Sequence, residues 1–176
     1  MALVTETGAG SATGESYISV TDADTYHSDR GQTTWAVLTT AQKEQNLRKA
    51  TEYMLQMYRQ RWKGVRNTAT QALDWPRSYV YLEPVITGAN QEFPNLVASN
   101  IVPTEVKRAC AELALKSSAA TLLEDQSRSK IKTQVGTISV EYDKSAPLAK
   151  KYASIDAMLR PYFEASASGF SHKLVR

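Results

Sequence analysis

"TTAQKEQNLRKATEYMLQMYRQRWKG", residues 39–64, carries the strongest pattern in the chain. Thr39 and Gln42 stand at capping-box spacing: a hydroxyl can take the third helical amide while the Gln side chain returns to the first. Leu47, Ala50, Met54, Met57 and Tyr58 then recur at helical intervals, and Gly64 supplies a stop. The spacing predicts one long amphipathic helix whose apolar stripe must be covered by other helices.

Three further helices are predicted to supply that cover. "TDADTYHSDRG", residues 21–31, offers Thr21 as an N-cap, Asp24 at capping-box spacing and Gly31 as a stop. Another helix begins at Pro103, a residue tolerated in a first turn, and aligns Val106, Cys110, Leu113, Ala114 and Ser117. A fourth follows Pro147 with Leu148, Tyr152, Ile155, Leu159 and Phe163 in register, and Pro161 should kink or end it. "IKTQVGTISVEY", residues 131–142, alternates on both sides of Gly136 and reads as a β-hairpin. A lone hairpin is marginal in water, so it needs the helices or an outside partner.

The expected fold is therefore mainly α: a small bundle of about four helices with one β-hairpin. Residues 17–164 form its domain, between a flexible arm at 1–16, rich in Gly, Ser, Thr and Ala, and a tail at 165–176. Residues 78–102, with Pro84, Pro94 and no sustained period, read as a long loop. The tail, "ASASGFSHKLVR", sets Phe170, Leu174 and Val175 among Lys173 and Arg176, a composition suited to a peptide that orders on a partner.

Composition excludes little but narrows the class. The chain has 176 residues, 42% hydrophobic and 22% charged, which suits one globular domain. A net charge of +3 is too small to name a polyanionic partner. No run of eighteen apolar residues predicts a membrane span, and "MALVTETGAG" has no basic, apolar signal pattern. Cys110 is the single cysteine, so no internal disulfide forms. A cytoplasmic site of synthesis and assembly is expected.

No catalytic constellation emerges, so the expectation is a non-enzyme without cofactor or metal. His27 and His172 lack ligand partners at useful spacing. Asp22 and Asp24 fall in a first helical turn, where acids favour the helix dipole. Cys110 lies on an apolar helix face, where thiols are inert. "GAGSATGES" has glycines but no preceding strand, so it is not a phosphate loop. "YRQRWKGVR" groups Arg59, Arg61, Lys63 and Arg66 around Trp62. Such interleaving suits single-stranded nucleic acid, but cations at a helix end also serve the dipole and solubility. Trp62 and Trp75 read as packing anchors between the helix end and the corner "QALDWPRS", residues 71–78.

"SYISVTDADTYHSDRG", Trp35, "LRKATEYM", "RWKG", "QALDWPRS", "VPTEVKRACAELAL" and "VGTISVEY" occur in this order. Over about residues 16–163 the set resembles the head–tail connector, or head-completion adaptor, proteins of long-tailed bacteriophages. The 78–102 loop is long for that pattern. Relatives of this kind are sometimes labelled as similar to DnaT, a primosome protein that binds single-stranded DNA, which gives the alternative reading of a replication protein. The connector resemblance implies a dodecameric ring beneath the portal in the virion neck, assembled in the host cytoplasm. Its partners would be itself, the portal protein, a further connector or tail-completion protein, and packaged double-stranded DNA in the channel, with no membrane. On that reading Trp62, Lys63, Trp75 and Arg77 are interface candidates, as are Phe170, Lys173, Leu174, Val175 and Arg176 of the tail. Arg59, Arg61, Lys63 and Arg66 are the candidates to face DNA.

Overall fold

The computed structural model describes residues 2–82, 96–123, 132–135, 138–141 and 151–164. Residues 83–95 of the long loop, Ile131, Gly136 and Tyr142 of the hairpin reading, Pro147 and Leu148, and the whole tail from 165 lie outside these residues. The described part is mainly helical. Helices α1 (Val20–Ser28), α2 (Thr33–Ala36), α3 (Thr40–Tyr58), α4 (Thr104–Ala119) and α5 (Ala153–Leu159) are followed by a 3₁₀ turn at Arg160–Tyr162. Two short antiparallel ribbons complete it: β1 (Val65–Arg66) with β2 (Arg77–Ser78), and β3 (Lys132–Val135) with β4 (Ile138–Glu141).

The long helix forms as its sequence requires. The Thr39 hydroxyl accepts from the Gln42 amide at 3.3 Å, and Gln42 Oε1 accepts from the Thr39 amide at 2.9 Å, so both capping-box bonds are present. Its stripe of Leu47, Ala50, Met54 and Tyr58 is buried against α4, which answers with Val106, Ala109, Cys110, Leu113 and Ala114. Pro103 is the N-cap of α4 and loses nothing there, since a first-turn amide has no helical partner. Cys110 Sγ lies 3.4 Å from Thr51 Oγ1 of α3 and 3.9 Å from Ser16 Oγ. Burial pushes its thiol pKa up, which keeps it protonated and unreactive.

Several boundaries differ from the sequence reading. The N-cap of α1 is Ser19, whose hydroxyl accepts from the Asp22 amide at 3.0 Å, rather than Thr21. The fourth helix is described only from Ala153, and Pro161 sits in the 3₁₀ turn that ends it. A short extra helix, α2, puts Trp35 in the core, with its indole N–H donating to Asp24 at 2.7 Å. Residues 2–16, read as a flexible arm, are seated on the domain. The Glu6 amide donates to Ser16 O at 2.8 Å, and Ala72 N donates to Ser11 O at 2.9 Å. Among the described residues no helix is long and apolar enough to cross a membrane.

Candidate nucleic-acid interface

The basic stretch after α3 is built around an aromatic cluster. Trp62 and Trp75 meet edge to face, with centroids 5.6 Å apart, and Trp75 meets Tyr162 in the same way at 5.6 Å. Phe163 leans on Trp62 at 5.0 Å and on Tyr58 at 5.3 Å. Two backbone bonds hold the end of α5 there: Lys63 N donates to Tyr162 O at 2.9 Å, and Glu164 N donates to Arg61 O at 2.8 Å. Trp62 is 2% exposed and Trp75 is fully buried, so both act as the packing anchors the sequence suggested.

The corner is locked by polar groups as well. Gln71 and Thr68 exchange reciprocal side chain–backbone bonds of 3.0 and 3.1 Å, and Gln71 Nε2 donates to Leu73 O and Pro76 O. The Trp75–Pro76 peptide is cis. Arg77 is 7% exposed and donates to the carbonyls of Lys63, Gly64 and Asp74. Burial draws its pKa down, partly offset by nearby Asp74. The planar guanidinium spreads its Nε, Nη1 and Nη2 donors over three separate carbonyls. Trp62, Trp75 and Arg77, the interface candidates of the corner, are thus engaged inside their own chain. Phe170, Lys173, Leu174, Val175 and Arg176 lie outside the described residues.

The four DNA-facing candidates are brought to one region but are not equivalent. Arg59 Nε pairs with the buried Asp74 carboxylate at 3.1 Å, while its side chain stays 52% exposed. Arg61, 45% exposed, reaches Asp156 at 3.2 Å and lies over the Phe163 ring at 4.0 Å. Lys63 Nζ donates to Tyr81 O at 3.3 Å. Arg66 turns inward and donates to Gln71 O. Arg59 and Arg61 therefore keep an outward edge, and Lys63 lies beside the ribbon.

That ribbon carries residues the sequence reading missed. Gly64, at φ +69°, lets β1 turn back so closely that a Cβ there would lie 2.1 Å from Ser78 O. Val65 then pairs with Ser78, and Arg66 with Arg77. Beyond Ser78, Val80 is fully buried while Tyr79 and Tyr81 are 67% and 40% exposed. The backbone of Val80 and Tyr81 continues in pairing with Val97 and Leu96. The signal was legible in "SYVYL", residues 78–82, where an apolar residue is flanked by two amphipathic rings. It lay within the span taken for a loop.

Among the described residues no group of three His, Cys, Asp or Glu could hold a metal. The recess beside Trp35, about 380 Å³, is lined by Asp24 and Lys43, which pair with each other at 2.9 Å. His27 lies in the core. It is buried against Trp35, with Nε2 3.1 Å from Ala111 O, the geometry of a neutral ring donating to a carbonyl.

Burial lowers the pKa of His27 below 6.5, against an upward pull from the Ala111 carbonyl and Glu112. Above 6.5 the ring is neutral in both folded and unfolded chains, so it costs nothing. Below that value the unfolded chain takes up the proton first, and stability falls as pH drops toward the folded pKa. The loss cannot exceed about 1.4 kcal/mol per pH unit. Urea melts at pH 7.5 and 5 should show it, and His27→Gln should flatten the difference. An unchanged pH dependence in that variant would assign the acid sensitivity elsewhere.

The chain matches, over residues 1–176, the family described as "Putative DnaT-like ssDNA binding protein". It belongs to that family. No curated protein and no solved structure matches it. The whole-length match overturns the connector resemblance, and with it the ring beneath a portal, the portal and tail-completion partners, and packaged duplex in a channel. The physical reason lies in where the quoted motifs fall. "LRKATEYM", "QALDWPRS" and "VPTEVKRACAELAL" supply helix stripes and the locked corner, so their order carries a fold rather than a partner.

Proposed function

We propose that the protein binds single-stranded DNA as a non-catalytic, DnaT-like replication component. The family match over the whole chain carries this reading. The fold adds a plausible place: the outward edges of Arg59 and Arg61, together with Lys63, gather where α3 runs into the first ribbon. Cations held on rigid elements attract phosphates by releasing condensed counterions, which makes the affinity salt-dependent. Asp74 and Asp156 neutralise two of these cations in part, so modest affinity at physiological salt is expected.

The test is a titration of a labelled single strand at several salt concentrations. Arg61→Gln and Lys63→Gln avoid stranding the buried Asp74 carboxylate, as loss of Arg59 would. Each should weaken binding and make the log–log salt slope shallower by about 0.7, the value for one phosphate contact on a single strand. No binding by the intact protein at low salt would refute the reading. Binding with unaltered slopes in both variants would move the site elsewhere.

A further inference from the structure

Tyr79 stands at φ +62°, a left-handed conformation that glycine or asparagine adopts easily and a bulky aromatic does not. Its ring is 67% exposed and makes no hydrogen bond or ring contact among the described residues. The fold therefore gains nothing visible from a tyrosine there, and bears backbone strain to keep one. Strain of this kind concentrates at functional positions. Two residues on, Tyr81 also faces outward, because the intervening Val80 is fully buried. Lys63 Nζ donates to the Tyr81 backbone carbonyl at 3.3 Å, which ties a cation to the same stretch of chain.

Resting on the single-stranded DNA reading above, we infer that Tyr79 and Tyr81 are the base-stacking platform that selects unpaired strands over duplex. An aromatic face can stack on any base once that base is free of its partner, whereas phosphate contacts are available on duplex and single strand alike. Cations alone would give a surface with little preference between the two. Two exposed rings on the stretch that Lys63 contacts add a term that only an unpaired strand can satisfy. Stacking also tolerates any sequence, so the preference should be for strandedness and not for particular bases. The partner this surface fits is a polyanion with free aromatic faces, which agrees with the mixture of positive charge and tyrosine.

The experiment uses the full chain with a labelled mixed-sequence single strand and the duplex of the same sequence. Intact protein should bind the single strand more tightly. Tyr79→Asn with Tyr81→Thr should lose roughly tenfold or more on the single strand, with duplex affinity and the single-strand salt slope unchanged. Because asparagine suits the left-handed position, Tyr79→Asn alone should not lower the melting temperature. Full single-strand affinity in the double variant, or equal losses on both DNA forms, would overturn the inference while leaving the binding reading intact. No single-strand binding by the intact protein would remove both. Should the double variant fail to fold, Tyr79→Phe with Tyr81→Phe decides: it must keep the preference for single strands, and its loss would overturn the stacking role.

Discussion

Trp75→Ala should lose about 3–5 kcal/mol of stability, the range for truncating a large, fully enclosed ring. The indole is completely buried and sits at the junction of three parts of the chain. It is edge to face with Trp62, just beyond α3, and with Tyr162, at the end of α5, while Leu73 of its own corner is buried beside it in sequence. Alanine removes the transfer free energy of the ring and leaves a void that neighbouring aromatics, rigid in shape, fill poorly. A domain of this size has about 5–15 kcal/mol in all, so the loss would be a large fraction. Urea melts should show a lower midpoint at an unchanged slope, the signature of lost stability with the same surface exposed. Trp75→Phe, which keeps an aromatic ring, should recover part of it. A loss under about 1 kcal/mol for the alanine variant would show that the cluster repacks freely and that Trp75 is not its keystone.

Legibility followed the kind of interaction involved. The capping box at Thr39 and Gln42, the stripe from Leu47 to Tyr58 and the Pro103 start of α4 depend on contacts three or four residues apart, which spacing displays directly. Trp75 as an anchor was also legible, because a large ring between Leu73 and Pro76 has few other uses. Arg77 was not. It read as an interface candidate, whereas its guanidinium is spent on the carbonyls of Lys63, Gly64 and Asp74, brought to it by the turn at Gly64. The setting of His27 was not legible for a related reason: nothing local says that α4 will offer Ala111 O to it. At the candidate site the four cations were visible as a cluster, but their different outward exposure depends on Asp74 and Asp156, 15 and 95 residues from their partners. Tyr79 and Tyr81 escaped because one alternating triplet is too short to stand out from a proline-flanked span.

Glu6→Ala should cost roughly 3–5 kcal/mol, although the segment around it reads as a free arm. Glu6 is 1% exposed. Its Oε1 accepts from the amides of Gly8 at 2.8 Å and Gly10 at 3.0 Å, and Oε2 accepts from Ser11 N at 2.7 Å. The string "ETGAGS", residues 6–11, is thus an anion-binding concavity filled by its own first residue. The glycines follow from this: Gly8 adopts φ +112°, and a Cβ there would fall 2.0 Å from Asn100 O. Removing the carboxylate orphans three amides, of which the one on Gly8 is buried, and each orphan costs about 1–3 kcal/mol unless water reaches it. Glu6→Gln keeps one acceptor for the glycine amides but turns an N–H₂ toward the Ser11 donor, so a loss of about 1.5–3 kcal/mol is expected. The damage should be local before it is global. Ser11 O accepts from Ala72 N at 2.9 Å, which joins this loop to the corner that carries Trp75. Hydrogen exchange at the Ala72 and Glu6 amides should therefore quicken in Glu6→Ala under conditions where α3 and α4 stay protected. If those two amides keep their protection and the variant melts like the parent protein, the loop is held by something other than its carboxylate.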